Sequence, residues 1–122
     1  SLGCAVSIQL ALDRSVRGVI LEAPFASVRA MAARVIPWLP IGALLRTRYD
    51  NVGKIGRITA PLLVIHGTED EVIPIAQGEA VYKAAPAAKR FVVIPGAHHN
   101  DVYVVGGAPY MDALSEFLRG LN

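Results

Sequence analysis

The sequence predicts an α/β fold in which parallel strands alternate with helices, and three observations carry that prediction. Val19-Ile20-Leu21, Leu62-Leu63-Val64-Ile65 and Phe91-Val92-Val93-Ile94 are short apolar runs without polar alternation. In Leu62-Leu63-Val64-Ile65 that is the pattern of a strand buried on both faces of a parallel sheet. Breakers bound them: Ala23-Pro24 after the first, Pro61 and Gly67 around the second, Pro95-Gly96 after the third. Helical stretches fill the gaps, and strand–helix repetition builds βαβ units with right-handed crossovers. The length of 122 residues suits a single domain, taken as 1–122.

The elements follow in order. Ser1 to Asp13 places Leu2, Val6, Ile8, Leu10 and Leu12 among alanines, too apolar for one clear face, and reads as a largely buried helix. Arg17 to Glu22 is the first strand. Ser27 caps a helix in which Val28, Met31, Val35 and Ile36 recur at helical spacing. Pro37-Trp38-Leu39-Pro40 breaks it, and Ile41 to Arg46 forms a short apolar helix. Thr47 to Thr59 is polar and contains glycine, so it reads as a surface connection. The second strand ends on His66-Gly67, where Gly67 supplies a turn. A helix then runs from Pro74 to about Ala85 and stops at Pro86. Arg90 to Ile94 is the third strand, and Ala97 to Asp101 the loop beyond it. Val104 to Gly107 is a connection, after which Pro109 opens a helix striped by Met111, Leu114, Phe117, Leu118 and Leu121.

Composition narrows the function classes. A formal net charge of +2, with no dense Lys/Arg run, argues against a nucleic-acid partner. The single cysteine, Cys4, excludes an internal disulfide and gives no sign of an oxidising compartment. Apolar runs stop short of the roughly 18 residues a membrane span needs, and no basic-then-apolar leader opens the sequence. A cytoplasmic setting is the expectation. Nothing calls for a cofactor.

The second strand places Asp70 in the loop at its carboxyl end, the edge of an open α/β sheet where ligands and catalytic groups collect. His99 follows the next strand in the same way, and Ser1 directly precedes a helix. A serine hydroxyl needs an imidazole to take its proton. The imidazole needs a carboxylate to fix its tautomer and to stabilise its charged form. The order Ser, Asp, His is that of α/β-hydrolases.

Three motifs make the resemblance specific. Ser1-Leu2-Gly3 resembles the second half of the Gly-x-Ser-x-Gly nucleophile elbow, cut just before its serine. His66-Gly67-Thr68-Glu69-Asp70 with Val72-Ile73-Pro74 resembles the acid loop of the α/β-hydrolase family. Gly96-Ala97-His98-His99-Asn100-Asp101 resembles its histidine loop, with His98 where the family usually has glycine. The likeness covers essentially the whole chain, as the carboxyl-terminal half of a hydrolase domain. It is nearest to small-cap serine hydrolases related to acyl-protein depalmitoylases. The resemblance implies Ser1 as nucleophile, His99 as general base, Asp70 as orienting carboxylate and the Leu2 amide as an oxyanion donor. It implies cleavage of an ester or thioester of a small-molecule or acylated substrate through an acyl-enzyme. It also implies a short cap over 25–50, where Phe25, Met31, Trp38 and Leu39, with His98, are candidate pocket residues. Packing on the sheet is the competing role for most of them.

Other assignments compete. Glu69 and Glu71 flank Asp70 and are expected to face solvent, and Asp101 to stabilise its own loop. His66 is expected to be a structural strand-end histidine and Cys4 a small buried helix residue. A metal site from His66, His98 and His99 lacks supporting ligand spacing. Trp38 with Arg34, Arg46 and Arg48 could touch a membrane surface. Two alternatives to the triad are an N-terminal-nucleophile hydrolase using the Ser1 amine and a non-catalytic binding module on the same fold. The amino-terminal half of the domain is expected as a partner, since the first strand otherwise leaves an apolar edge unpaired. Without it, these residues are expected to self-associate and to show little esterase activity.

Overall fold

The computed structural model describes residues 1–35, 50–86 and 88–122. Its sheet has three parallel strands in the spatial order β1 (Val19–Glu22), β2 (Leu62–Gly67), β3 (Lys89–Ile94). Val19 pairs with Leu62, and Leu62 with Lys89. In that register Glu22 lies beside Ile65, and Gly67 beside Ile94, so the three strands present their carboxyl ends along one edge. The helices are α1 (Leu2–Asp13), α2 (Val28–Val35), α3 (Asn51–Ile55), α4 (Ile75–Ala84) and α5 (Val102–Gly120).

Every residue of β2 is buried, which explains its lack of polar alternation. Successive side chains of a strand point to opposite faces. Leu62 and Val64 join Ile8, Leu21, Ile55 and Val81 on one side, the side of α1, α3 and α4. Leu63 and Ile65 join Ile94, Ala97 and Val102 on the other, beneath Tyr110, Leu114 and Phe117 of α5. The core is therefore two apolar layers with β2 between them.

Four sequence expectations are revised. Helix α1 buries Cys4, Ala5 and Ile8, whereas Leu2, Val6 and Leu10, spaced four apart, stand exposed. The polar stretch before β2 is not only a connection. Asp50 caps α3 by accepting the Gly53 amide at 3.0 Å, and Ile55 and Ile58 enter the core. The residues Val104 to Gly107 are part of α5, which begins at Val102 and kinks at Gly107 (φ 49°) just ahead of Pro109. Of the predicted α5 stripe, Met111 and Leu118 are exposed, and Tyr110 and Ala113 pack in their place. Tyr110, Ala113, Leu114 and Phe117 share one face at i, i+3, i+4 and i+7, and Met111 and Leu118 each lie one residue off it. The predicted break at Pro37, the short helix at 41–46 and most of the 25–50 cap lie outside the described residues.

Candidate active site

Asp70 and His99 meet. The loop after β2 carries Asp70 and the loop after β3 carries His99, and parallel pairing sets these loops side by side. His99 Nδ1 lies 2.8 Å from Asp70 Oδ2, with the carboxylate wholly shielded and the imidazole 13% exposed. A carboxylate only accepts, so Nδ1 carries a proton, and in the neutral ring the lone pair is then on Nε2. The other oxygen, Asp70 Oδ1, accepts the backbone amides of Val72 at 3.0 Å and Ile73 at 2.7 Å. Those bonds leave the carboxylate little freedom to rotate.

Gly67 is not a turn residue. It is the last residue of β2 and has no positive φ. What it supplies is room, because a Cβ there would run into the backbone carbonyl of Ala97 on the histidine loop. The same carbonyl accepts the Glu69 amide at 2.9 Å, and Thr68 Oγ1 accepts the Gly96 amide at 2.9 Å. The two loops are thus stitched together by backbone before any catalytic side chain is considered. Gly96 itself takes the left-handed conformation (φ 77°) that a glycine adopts freely.

Ser1 lies at the same sheet edge. Its nitrogen lies 2.9 Å from the carbonyl oxygen of Glu22, the last residue of β1. Its Oγ is folded back onto its own helix and accepts the Leu2 amide at 2.6 Å. The structure gives Ser1 no hydrogen bond to His99, so the hydroxyl and the Leu2 amide occupy each other. Tyr110 Oη donates to Glu22 Oε2 at 2.9 Å, which ties α5 across the sheet to β1. Burial, with help from Glu22, pushes the Tyr110 hydroxyl up to about 12 and keeps it protonated.

The remaining candidates fall elsewhere. Phe25 is buried with Ala5 and with Ile73 of the acid loop, and Met31 packs against that cluster. Trp38 and Leu39 lie outside the described residues. Asp101 Oδ1 accepts the His98 amide at 2.7 Å and holds its own loop. Cys4 is buried. One ring nitrogen of each of His66, His98 and His99 is engaged, by Ile73, Glu71 and Asp70 respectively, and among the described residues no group of three or more His, Cys, Asp or Glu is placed to hold a metal ion. A mostly apolar cleft of about 310 Å³, bounded by Leu62, Lys89, Phe117 and Leu121, lies at the amino ends of β2 and β3, away from Asp70 and His99.

Glu71 does not simply face solvent. Its Oε2 lies 2.9 Å from His98 Nδ1, a second link between the acid and histidine loops, with both side chains exposed. The hydrogen bond to Glu71 raises the His98 pKa above its usual 6.5, and the same bond lowers Glu71 below its usual 4.5. The His98 contribution is complete below 6.5 and is lost as pH rises through the raised value. The Glu71 contribution is complete above 4.5 and is lost as pH falls through the lowered value. Glu71→Gln is expected to return His98 toward 6.5, read from its ring-proton shifts against pH. An unchanged titration would show that the pair does not form in solution.

Sequence reasoning passed over three residues of this edge. Ala23 is buried and held at φ 48°, and its amide donates to Ile65 at 2.9 Å. An alanine gives no warning of a left-handed backbone, which glycine or asparagine would. Asn51 is fully buried, and its side chain donates to the Phe25 carbonyl at 2.8 Å. Gln77 Oε1 accepts the Ala26 amide at 3.0 Å. Together these bonds hold the chain leaving β1, and each joins residues too far apart in sequence to leave a local signal.

Comparisons with known proteins agree with the fold. A family model described as "Serine aminopeptidase, S33" (Hydrolase_4) matches residues 41–102. The uncharacterized protein Rv2307c of Mycobacterium tuberculosis is 39% identical over 118 residues, covering 97% of this chain and 42% of the relative. Human alpha/beta hydrolase domain-containing protein 17C is 34% identical over 118 residues, covering 97% of this chain and 34% of the relative. The chain therefore spans well under half the length of these relatives. Among solved structures, a monoacylglycerol lipase from Paleococcus ferrophilus shares the fold with a TM-score of 0.73 at 20% identity, covering all of this chain and 66% of the lipase. A thermophilic esterase from Thermogutta terrifontis has a TM-score of 0.72 at 22% identity, covering 99% of this chain and 63% of the esterase.

Proposed function

The chain belongs to the α/β-hydrolase family, and from that premise we propose that it carries the serine, acid and base of a hydrolase that cleaves an ester or thioester. The observation that supports this most is the 2.8 Å contact between His99 Nδ1 and a shielded Asp70 carboxylate, made across two loops 29 residues apart. A buried acid that fixes one imidazole nitrogen and leaves the other free makes a general base.

In the proposed reaction, rotation about χ1 of Ser1 releases its Oγ from the Leu2 amide. One movement frees the nucleophile for His99 Nε2 and the amide for the oxyanion. His99 takes the hydroxyl proton as Oγ attacks the acyl carbonyl, and Asp70 stabilises the imidazolium. The tetrahedral intermediate collapses as His99 returns the proton to the leaving oxygen or sulfur. Water, activated by the same imidazole, then releases the acyl group from Ser1. An acylated small molecule or protein is the proposed substrate class, in keeping with the narrower resemblance to depalmitoylase-like enzymes.

The test is covalent. In the intact protein, a fluorophosphonate is expected to label Ser1, and a p-nitrophenyl ester to show a burst of product before slower turnover. Labelling that survives Ser1→Ala, or an ester turnover indifferent to it, would refute the assignment.

A further inference from the structure

His66 takes no part in that reaction, yet its imidazole is wholly buried at the end of β2. Its Nε2 lies 2.7 Å from the Ile73 carbonyl oxygen and 3.5 Å from Asp70 Oδ2. A carbonyl only accepts, so Nε2 carries the proton and Nδ1 is the unprotonated nitrogen. Nδ1 has no hydrogen-bond partner among the described residues and rests against Gly78 of α4. A Cβ on residue 78 would overlap the ring, so the helix leaves a slot shaped for it. Burial lowers the His66 pKa from its usual 6.5, against the opposing pull of Ile73 and Asp70, which keeps the ring neutral.

Leaving a buried acceptor unpaired is costly, so the ring's one hydrogen bond should account for its presence. The acceptor, Ile73, also donates its own amide to Asp70 Oδ1 at 2.7 Å. Strand, loop and carboxylate are thereby closed into a short circuit: His66 to the Ile73 carbonyl, the Ile73 amide to Asp70, and Asp70 to His99. We propose that His66 is a positioning residue which, through Ile73, holds the acid loop on the sheet so that Asp70 faces His99. This rests on the hydrolase reading for its catalytic meaning, though the circuit itself does not.

The experiment compares His66→Leu with His66→Gln in the intact protein. Leucine keeps bulk and removes the donor, whereas the glutamine amide can reach Ile73 in place of Nε2–H. The readouts are the low-field proton resonance of the His99 Nδ1–H and turnover of a p-nitrophenyl ester. Wild type and His66→Gln are expected to keep the resonance. His66→Leu should lose it, with turnover down about 10²-fold, the scale of a small misplacement of catalytic groups. Glutamine failing as badly as leucine, or leucine matching wild type, would overturn the proposal. If no form of the protein hydrolyses the ester, the hydrolase reading fails and the resonance still decides the positioning. Should His66→Leu not fold, ¹⁵N shifts of His66 in the wild type decide it. A neutral ring protonated at Nε2 at neutral pH supports the proposal, and an Nδ1–H tautomer or an imidazolium there refutes it.

Discussion

Asp70→Asn is expected to lower turnover by about 10⁴-fold and to leave the fold in place. The asparagine carbonyl can still accept the Val72 and Ile73 amides that now go to Asp70 Oδ1. Its NH₂ group then stands where Oδ2 accepts from His99 Nδ1. Two donors cannot face each other, so the imidazole must present its Nδ1 lone pair and move its proton to Nε2. A protonated Nε2 cannot take the serine proton. Shape and packing change little, so near-ultraviolet circular dichroism should match wild type while kcat collapses. A kcat within tenfold of wild type would mean that the Asp70–His99 contact plays no part in turnover.

The largest expected loss of stability from one added carbon is at Gly67. Gly67→Ala should destabilise the protein by about 3 kcal/mol, the upper part of the range for overpacking a tight site. The carbon would press on the Ala97 carbonyl, which is backbone and has no rotamer with which to yield. Ala97 is fully buried, and its carbonyl already accepts the Glu69 amide. Relief therefore requires the histidine loop to swing away from the acid loop, so turnover should fall by about 10²-fold as well. Urea midpoints and kcat measured on the same preparation would check both. A variant with wild-type stability would show that the loops are not in close contact in solution.

These two positions differ in how legible they were. Asp70 is marked by its place after an unalternated apolar run, and the strand order puts it at a working edge. The importance of Gly67 is also visible, but its reason is not. A turn glycine and a glycine that makes way for another loop look alike in one dimension, and only the distance to Ala97 separates them. Helix α3 hides in a polar stretch because its stability comes from Ile55 and Ile58 meeting the core and not from local propensity. His66 reads as a strand-end histidine and is one. That its proton sits on Nε2, and where that proton is sent, depends on Ile73, seven residues away across a loop.

What the sequence determined by itself is the order of the three strands and the residue types that follow each. Runs of neighbouring apolar residues and their breakers are local properties, and they do not wait on the rest of the chain. The tertiary structure decided which atoms meet. Parallel register brings the loops after β2 and β3 together, joins Asp70 to His99, ties Glu71 to His98, and leaves Ser1 Oγ on its own helix. Hydrogen bonds act over about 3 Å, so contacts between distant residues exist only once the sheet has fixed where each strand ends.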